Sequence, residues 1–156
     1  MSDVTPQVGV EPQVQAPVTA VPWVLVHPYI SIGTTPNDIE IHCAATNLKV
    51  EAAQDESKKE TFCGAYVSFK PVVWTITATS LMSYGTTGLW NLLQPMMGTV
   101  VPFEVRPDTG VASPTNPSMK GTAMVKWVDF INGNANEISE CDVVLAVQGA
   151  PTFATA

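Results

Sequence analysis

Apolar residues in this chain recur mostly at every second position, in short runs broken by glycine, proline and asparagine. Through residues 72–79, Val72, Trp74, Ile76 and Ala78 fall on one side, and Val73, Thr75, Thr77 and Thr79 on the other. A period of two in β-branched and aromatic residues marks a half-buried strand. It predicts a core face carrying Trp74 and Ile76. It also predicts a face of Thr75, Thr77 and Thr79 suited to water or to a polar neighbour. The same alternation predicts strands over residues 23–32, interrupted at His27-Pro28, and over residues 38–46, with Ile39, Ile41, Cys43 and Ala45 together. Further on it groups Val101, Phe103 and Val105, then Ala123, Val125 and Trp127 in a strand over residues 121–130. Finally it groups Cys141, Val143, Leu145 and Val147 in a last strand closed by Gly149-Ala150-Pro151.

In one interval the period changes. Leu89, Leu92, Leu93, Met96 and Met97 fall at helical spacing, with Trp90 beside them. Thr86 or Thr87 is placed to cap this helix, and Pro95 limits it. About two turns, ending near Gln94, are expected. A helix this short is marginal alone and must pack on the strands around it.

Two stretches lack a sustained period. Residues 1–22 carry Pro6, Pro12, Pro17 and Pro22 among valine, glutamine and threonine, a composition of extended, polyproline-like chain. They read as an N-terminal arm whose valines (Val4, Val8, Val10, Val14, Val18 and Val21) are candidates for assembly contacts. Residues 47–64 hold Glu51, Asp55, Glu56, Lys58, Lys59 and Glu60. They read as a polar loop or protruding hairpin, and long loops in compact domains are usually functional. Residues 107–117 are turn-rich, and Asn132-Gly133-Asn134 signals a reversal. Seven or eight short strands with one short helix predict a mainly β chain, a sandwich or barrel with a flanking helix. The expected division is an arm at 1–22, one domain at 23–152 and a tail at 153–156. Its expected core is Trp74, Ile76, Leu89, Leu92, Leu93, Phe103, Trp127, Val143 and Leu145.

Composition narrows the function. The 156 residues suit one domain, and 46% apolar content is enough for a core. A net charge of −7 lacks the basic footprint of a sequence-reading nucleic-acid module. Three cysteines without a C-x-x-C pair read as free thiols in a reducing compartment, with Cys43 and Cys141 expected to be buried. No run approaches the ~18 apolar residues of a membrane helix, and no basic, apolar leader opens the chain. Membrane binding and export by a leader are therefore not expected.

Candidate chemistry is sparse. His27 and His42 have no partner at ligand spacing. The acid pairs Asp38/Glu40 and Glu137/Glu140 are near neighbours, as on a solvated face, rather than carboxylates placed across a cleft. Ser80 and Ser83 lie in no G-x-S-x-G elbow, and no glycine-rich phosphate loop is present. The expectation is a chain that is not an enzyme and holds no cofactor or metal.

The order of parts in the second half resembles the major tail tube proteins of long-tailed bacteriophages. The run WTITATSLMSYGTTGLWNLL, a small-residue turn, GTVVPFEVRP, the strand KGTAMVKWVDF and the closing NGNANEISECDVVLAVQGAP carry the resemblance. Within it stand Trp74, the helix from Leu89 to Leu93, Arg106-Pro107, and Glu140, Asp142, Gly149 and Pro151. The resemblance covers about residues 38–152. It implies a β-sandwich or barrel subunit that forms rings, typically of six, stacked into a hollow tube through which DNA leaves the capsid. The loop at 47–64 would then reach the next ring. The termini would make further subunit contacts. Partners would be the chain itself and other tail proteins (tape measure, terminator and tip), with DNA passing through without specific binding. Location would be the virion tail, after assembly in the host cytoplasm. A capsid decoration or cement protein is the alternative. An Ig-like binding or adhesin module is a third reading, disfavoured by tryptophans expected on core faces.

Overall fold

The structure, a computed structural model, describes residues 22–155. The arm valines Val4, Val8, Val10, Val14, Val18 and Val21 lie outside the described residues.

Strands account for about half of the described residues. They are β1 (Tyr29–Ile32), β2 (Ile39–Glu40), β3 (Ala45–Ala53), β4 (Glu56–Thr61), β5 (Gly64–Phe69), β6 (Val73–Leu81), β7 (Val100–Arg106), β8 (Ser118–Val125) and β9 (Glu140–Ala154). Seven form one antiparallel sheet in the order β2-β1-β7-β8-β9-β6-β3, and β4 and β5 form a separate two-stranded ribbon. The large sheet curls into a half-barrel. Residues 41–44 bridge its two edges. The Ile41 N–H donates to the Ile30 carbonyl (3.2 Å), and the Ala44 carbonyl accepts from the Leu81 N–H (2.9 Å).

The alternation explains the core. Ile76 and Ala78 of β6, Val143 and Leu145 of β9, Ala123 and Val125 of β8, Phe103 and Val105 of β7 and Ile30 and Ile32 of β1 all bury on the inner side of the curl. Between β6 and β7 lies one short helix, α1 (Leu89–Leu93), followed by a 3₁₀ turn over Gln94–Met96. Leu89, Leu93 and Met97 close the core there. Threonine does not cap this helix. Ser83 does so from six residues away, its Oγ accepting the Leu89 N–H at 2.8 Å and its carbonyl the Trp90 N–H at 3.1 Å. Gly88, at the N-cap, fits because a Cβ there would lie 2.7 Å from backbone atoms of Ser83 and Gly85.

Several expectations give way. The strand expected over residues 23–32 is confined to Tyr29–Ile32, and Trp23, Val24, Leu25 and Val26 are exposed. The strand begins only after His27-Pro28, because proline donates no ladder hydrogen bond. The strand expected over 38–46 is broken by a turn into β2 and the first residues of β3, so Ile39 and Ile41 are buried but Cys43 is exposed. The strand expected over 121–130 ends at Val125. Trp127 therefore leaves the core and is 66% exposed, its indole lying over Gly98. Leu92 is on the outer side of α1, because five residues leave room for only one buried stripe, Leu89 and Leu93. Trp74 is half-buried. At the other end β9 runs on through Gly149 (φ 70°) to Ala154, where Phe153 and Ala154 pair with Met119 and Ser118, so residues 153–154 belong to the sheet rather than to a tail.

Candidate assembly surfaces

The residues from 45 to 70 divide into two structures. β3 is an edge strand of the sheet. Leu48 and Val50 point inward beside Ala78 and Ile76, and Lys49 and Glu51 point outward beside Thr77 and Thr75. Glu51 therefore belongs to the sheet face, where it pairs with Lys49 at 3.3 Å. The protruding element is the β4–β5 hairpin, and it extends past residue 64 to Phe69. Asp55 stands at its base, where its carbonyl accepts the Lys70 N–H at 2.8 Å. Glu56, Lys58, Lys59 and Glu60 line β4.

Every residue of both hairpin strands is exposed. Lys58 and Glu60 pair at 3.4 Å, but β5 presents Tyr66, Val67 and Phe69 to solvent, and Phe62 at the tip is fully exposed. A lone two-stranded ribbon is at best marginally stable in water. Apolar side chains clustered on such a ribbon mark an interaction surface.

The outer face of β3, β6 and β9 is polar. Thr75, Thr77 and Thr79 form a half-buried row between Glu51, Lys49 and Asn47 of β3 and Ala146, Val144 and Asp142 of β9. Thr79 Oγ1 donates to Asp142 Oδ1 at 2.8 Å. Lys120, Thr122 and Met124 continue the same face on β8. The face mixes both signs of charge, Lys49 and Lys120 with Glu51 and Asp142, and forms no local acidic patch.

A polar cluster that local sequence patterns do not reveal lies at the β1–β7–β8 junction. Arg106 is ion-paired with Glu104 and lies over the Tyr29 ring, 3.9 Å from its centroid. Ser118 Oγ donates to the same Glu104 carboxylate at 2.8 Å. Burial alone would push the Glu104 carboxyl up. The Ser118 hydrogen bond, the Arg106 guanidinium and the Lys120 charge outweigh it and hold the group below its ordinary value. Burial, and next the Asp142 and Asp129 charges, push the Cys141 thiol up, which disfavours the reactive thiolate.

Asn116 organises the 107–117 loop. Its Nδ2 faces the carbonyls of Asp108, Gly110 and Val111, and its Oδ1 accepts the Asp108 N–H. These partners lie five to eight residues away in the same loop, at no spacing that a strand or helix period reveals. Beside this loop an apolar hollow of about 330 Å³ opens into the curl, lined by Leu25, Leu48, Val50, Trp74, Met119 and Phe153. The exposure of Trp23 and Trp127 removes the burial argument against a sugar-binding surface. Among the described residues no group of three or more His, Cys, Asp or Glu could hold a metal ion, and no helix is long and apolar enough to cross a membrane.

No family model matches the sequence, and no curated protein does. Solved structures do match in shape. The chain aligns with one from the tail of an empty gene transfer agent particle, obtained by helical refinement with C6 symmetry. The TM-score is 0.57 at 16% identity, over 81% of this chain and 94% of that one. The fold resembles that of a tail component. A chain from the virion of a native gene transfer agent particle aligns with a TM-score of 0.56 at 16% identity, over 80% of this chain and 95% of that one.

Proposed function

We propose that this chain is a structural virion protein that assembles with copies of itself into stacked rings, forming the tube of a phage-like tail. The observation that carries the reading is the alignment with a tail chain along nearly that chain's whole length. The C6 symmetry of that tail supports rings of six here, and the wholly exposed β4–β5 hairpin supports a contact reaching from ring to ring. The half-barrel leaves β2 and β3 as edge strands. Exposed edges are an aggregation hazard in a monomer and a pairing surface in a closed ring.

In this reading the Thr75, Thr77 and Thr79 face lines the lumen. Neutral hydroxyls keep it wet, and a subunit without a concentrated basic patch avoids the salt-dependent attraction that would slow DNA. Other tail proteins cap and gauge the tube, the arm at residues 1–22 adds contacts between subunits, and the assembled tail is where the chain resides. The protein needs no catalytic group for this role.

Sedimentation of the full-length chain against a variant with Glu56–Phe69 replaced by a short turn tests the reading. Large assemblies for the native chain, and small folded species for the variant, are expected. Equal sedimentation as monomers would contradict it.

A further inference from the structure

The ribbon and a second exposed apolar site lie at opposite ends of the same strands. β6 enters from the hairpin at Val73 and leaves at Leu81. Just beyond Leu81, the Met82 N–H donates to the Ser139 carbonyl (2.9 Å) and Tyr84 donates through its hydroxyl to the Phe130 carbonyl. Nine strand residues separate the two sites, roughly 30 Å. At that far end Tyr84, Phe130, Ile131, Glu137 and Ser139 line a hollow of about 540 Å³. Phe130 packs edge-on against Tyr84 and tilted against Trp90, with centroids 5.7 and 4.8 Å apart. Phe130 and Ile131 are nevertheless 54% and 76% exposed.

The hairpin tip is built to present a side chain. Thr61 Oγ1 donates to the Gly64 carbonyl at 3.1 Å and accepts the Cys63 N–H at 3.2 Å. Gly64 takes a φ of 147°, which a side chain would rarely adopt. Phe62 stands free on this fixed tip, and pre-organisation of that kind lowers the cost of binding. Charge adds one contact to the apolar fit. Residues 126–142, around the hollow, hold Asp129, Glu137, Glu140 and Asp142 against the single cation Lys126. The hairpin carries Lys58 and Lys59 beside Glu56 and Glu60, a net charge of zero, and only Lys59, which has no acidic partner among the described residues, is left to meet that acidic surface.

We infer that the aromatic hollow of Tyr84, Phe130 and Ile131 receives the Phe62 tip of the hairpin from a second copy of this chain. The contact is head-to-tail, and with its two surfaces at opposite ends of the strands it repeats along the strand direction as an open stack. It gives the stack a direction, with hairpins leading and hollows receiving. This rests on the assembly reading above and names its receiving surface.

Cys63, exposed beside Phe62, supplies the probe. The full-length chain carrying Cys43→Ser and Ile131→Cys is assembled and then oxidised mildly. A ladder of disulfide-linked multimers on a non-reducing gel is expected, and Cys63→Ser should abolish it. Moving the new thiol to Val111, exposed on the loop at the hairpin end, should remove at least nine-tenths of the ladder. Asn132→Cys serves as second probe if the first variant does not assemble. Assemblies that cross-link no better through residue 131 or 132 than through residue 111 would overturn the pairing and leave the tube standing. A native chain that never assembles would overturn both.

Discussion

Glu104 and Arg106 show how a single pair joins three strands. Glu104 and Arg106 lie on β7, Tyr29 on β1 and Ser118 at the start of β8. The folded state holds the Glu104 carboxyl below its ordinary value, so it favours the carboxylate more than the unfolded chain does. The stability this group contributes is present above the ordinary carboxylate range and is lost as pH falls through the lowered folded value. Glu104→Gln should cost about 1.5–3 kcal/mol at pH 7, the usual range for hydrogen bonds to charged groups. It should also lose less stability than the native chain between pH 7 and pH 3. Parallel acid denaturation curves would contradict this. Two core expectations separate at the same scale. Leu145→Ala empties a fully buried site on β9 and should cost about 2–5 kcal/mol. Trp127→Ala removes an exposed ring and should cost about 1 kcal/mol or less. Thermal melts of the two variants check the difference.

Elements were legible in the sequence where one face is buried over many residues. The alternation of residues 72–79 and 141–147 became β6 and β9 because each packs between two other strands of the sheet. Edges were harder to read. β3 hides only Leu48 and Val50 inside a charged run, too few to show a period. Trp127 continued the alternation of β8, but the strand stops two residues before it, where Thr99 and Gly98 bond back to Val125. Cys43 continued the alternation of β2 in the same way and ended in a turn. The Ser83 cap and the Asn116 hub depend on how local loops close, and the Arg106 cluster on residues that only the strand register brings together. Residues 47–64 read in the sequence as a polar loop or protruding hairpin, whereas residues up to Ala53 form an edge strand and the hairpin spans Glu56–Phe69 with an apolar second strand. Replacing Glu56–Phe69 by a turn should leave the melting temperature of the domain within a few degrees, because neither strand buries a side chain. Loss of the fold would show instead that the ribbon is structural.

At the scale of the whole molecule, an asymmetric subunit with a projecting ribbon at one end and an exposed aromatic hollow at the other is suited to linear stacking. Its polar outer face suits the wet lumen proposed for it. In the proposed rings of six, Thr75→Lys together with Thr77→Lys would add twelve cations to each ring. DNA release from particles carrying this variant should slow, most strongly at low salt. Unchanged release at all salt concentrations would exclude this face from the lumen. Removing residues 1–22 should leave a folded domain with weakened polymerisation.

Electron microscopy of the purified full-length chain under assembly conditions tests the central claim most directly. Hollow tubes or stacked rings with six-fold end views are expected. Dispersed single subunits at every concentration and salt condition would contradict it.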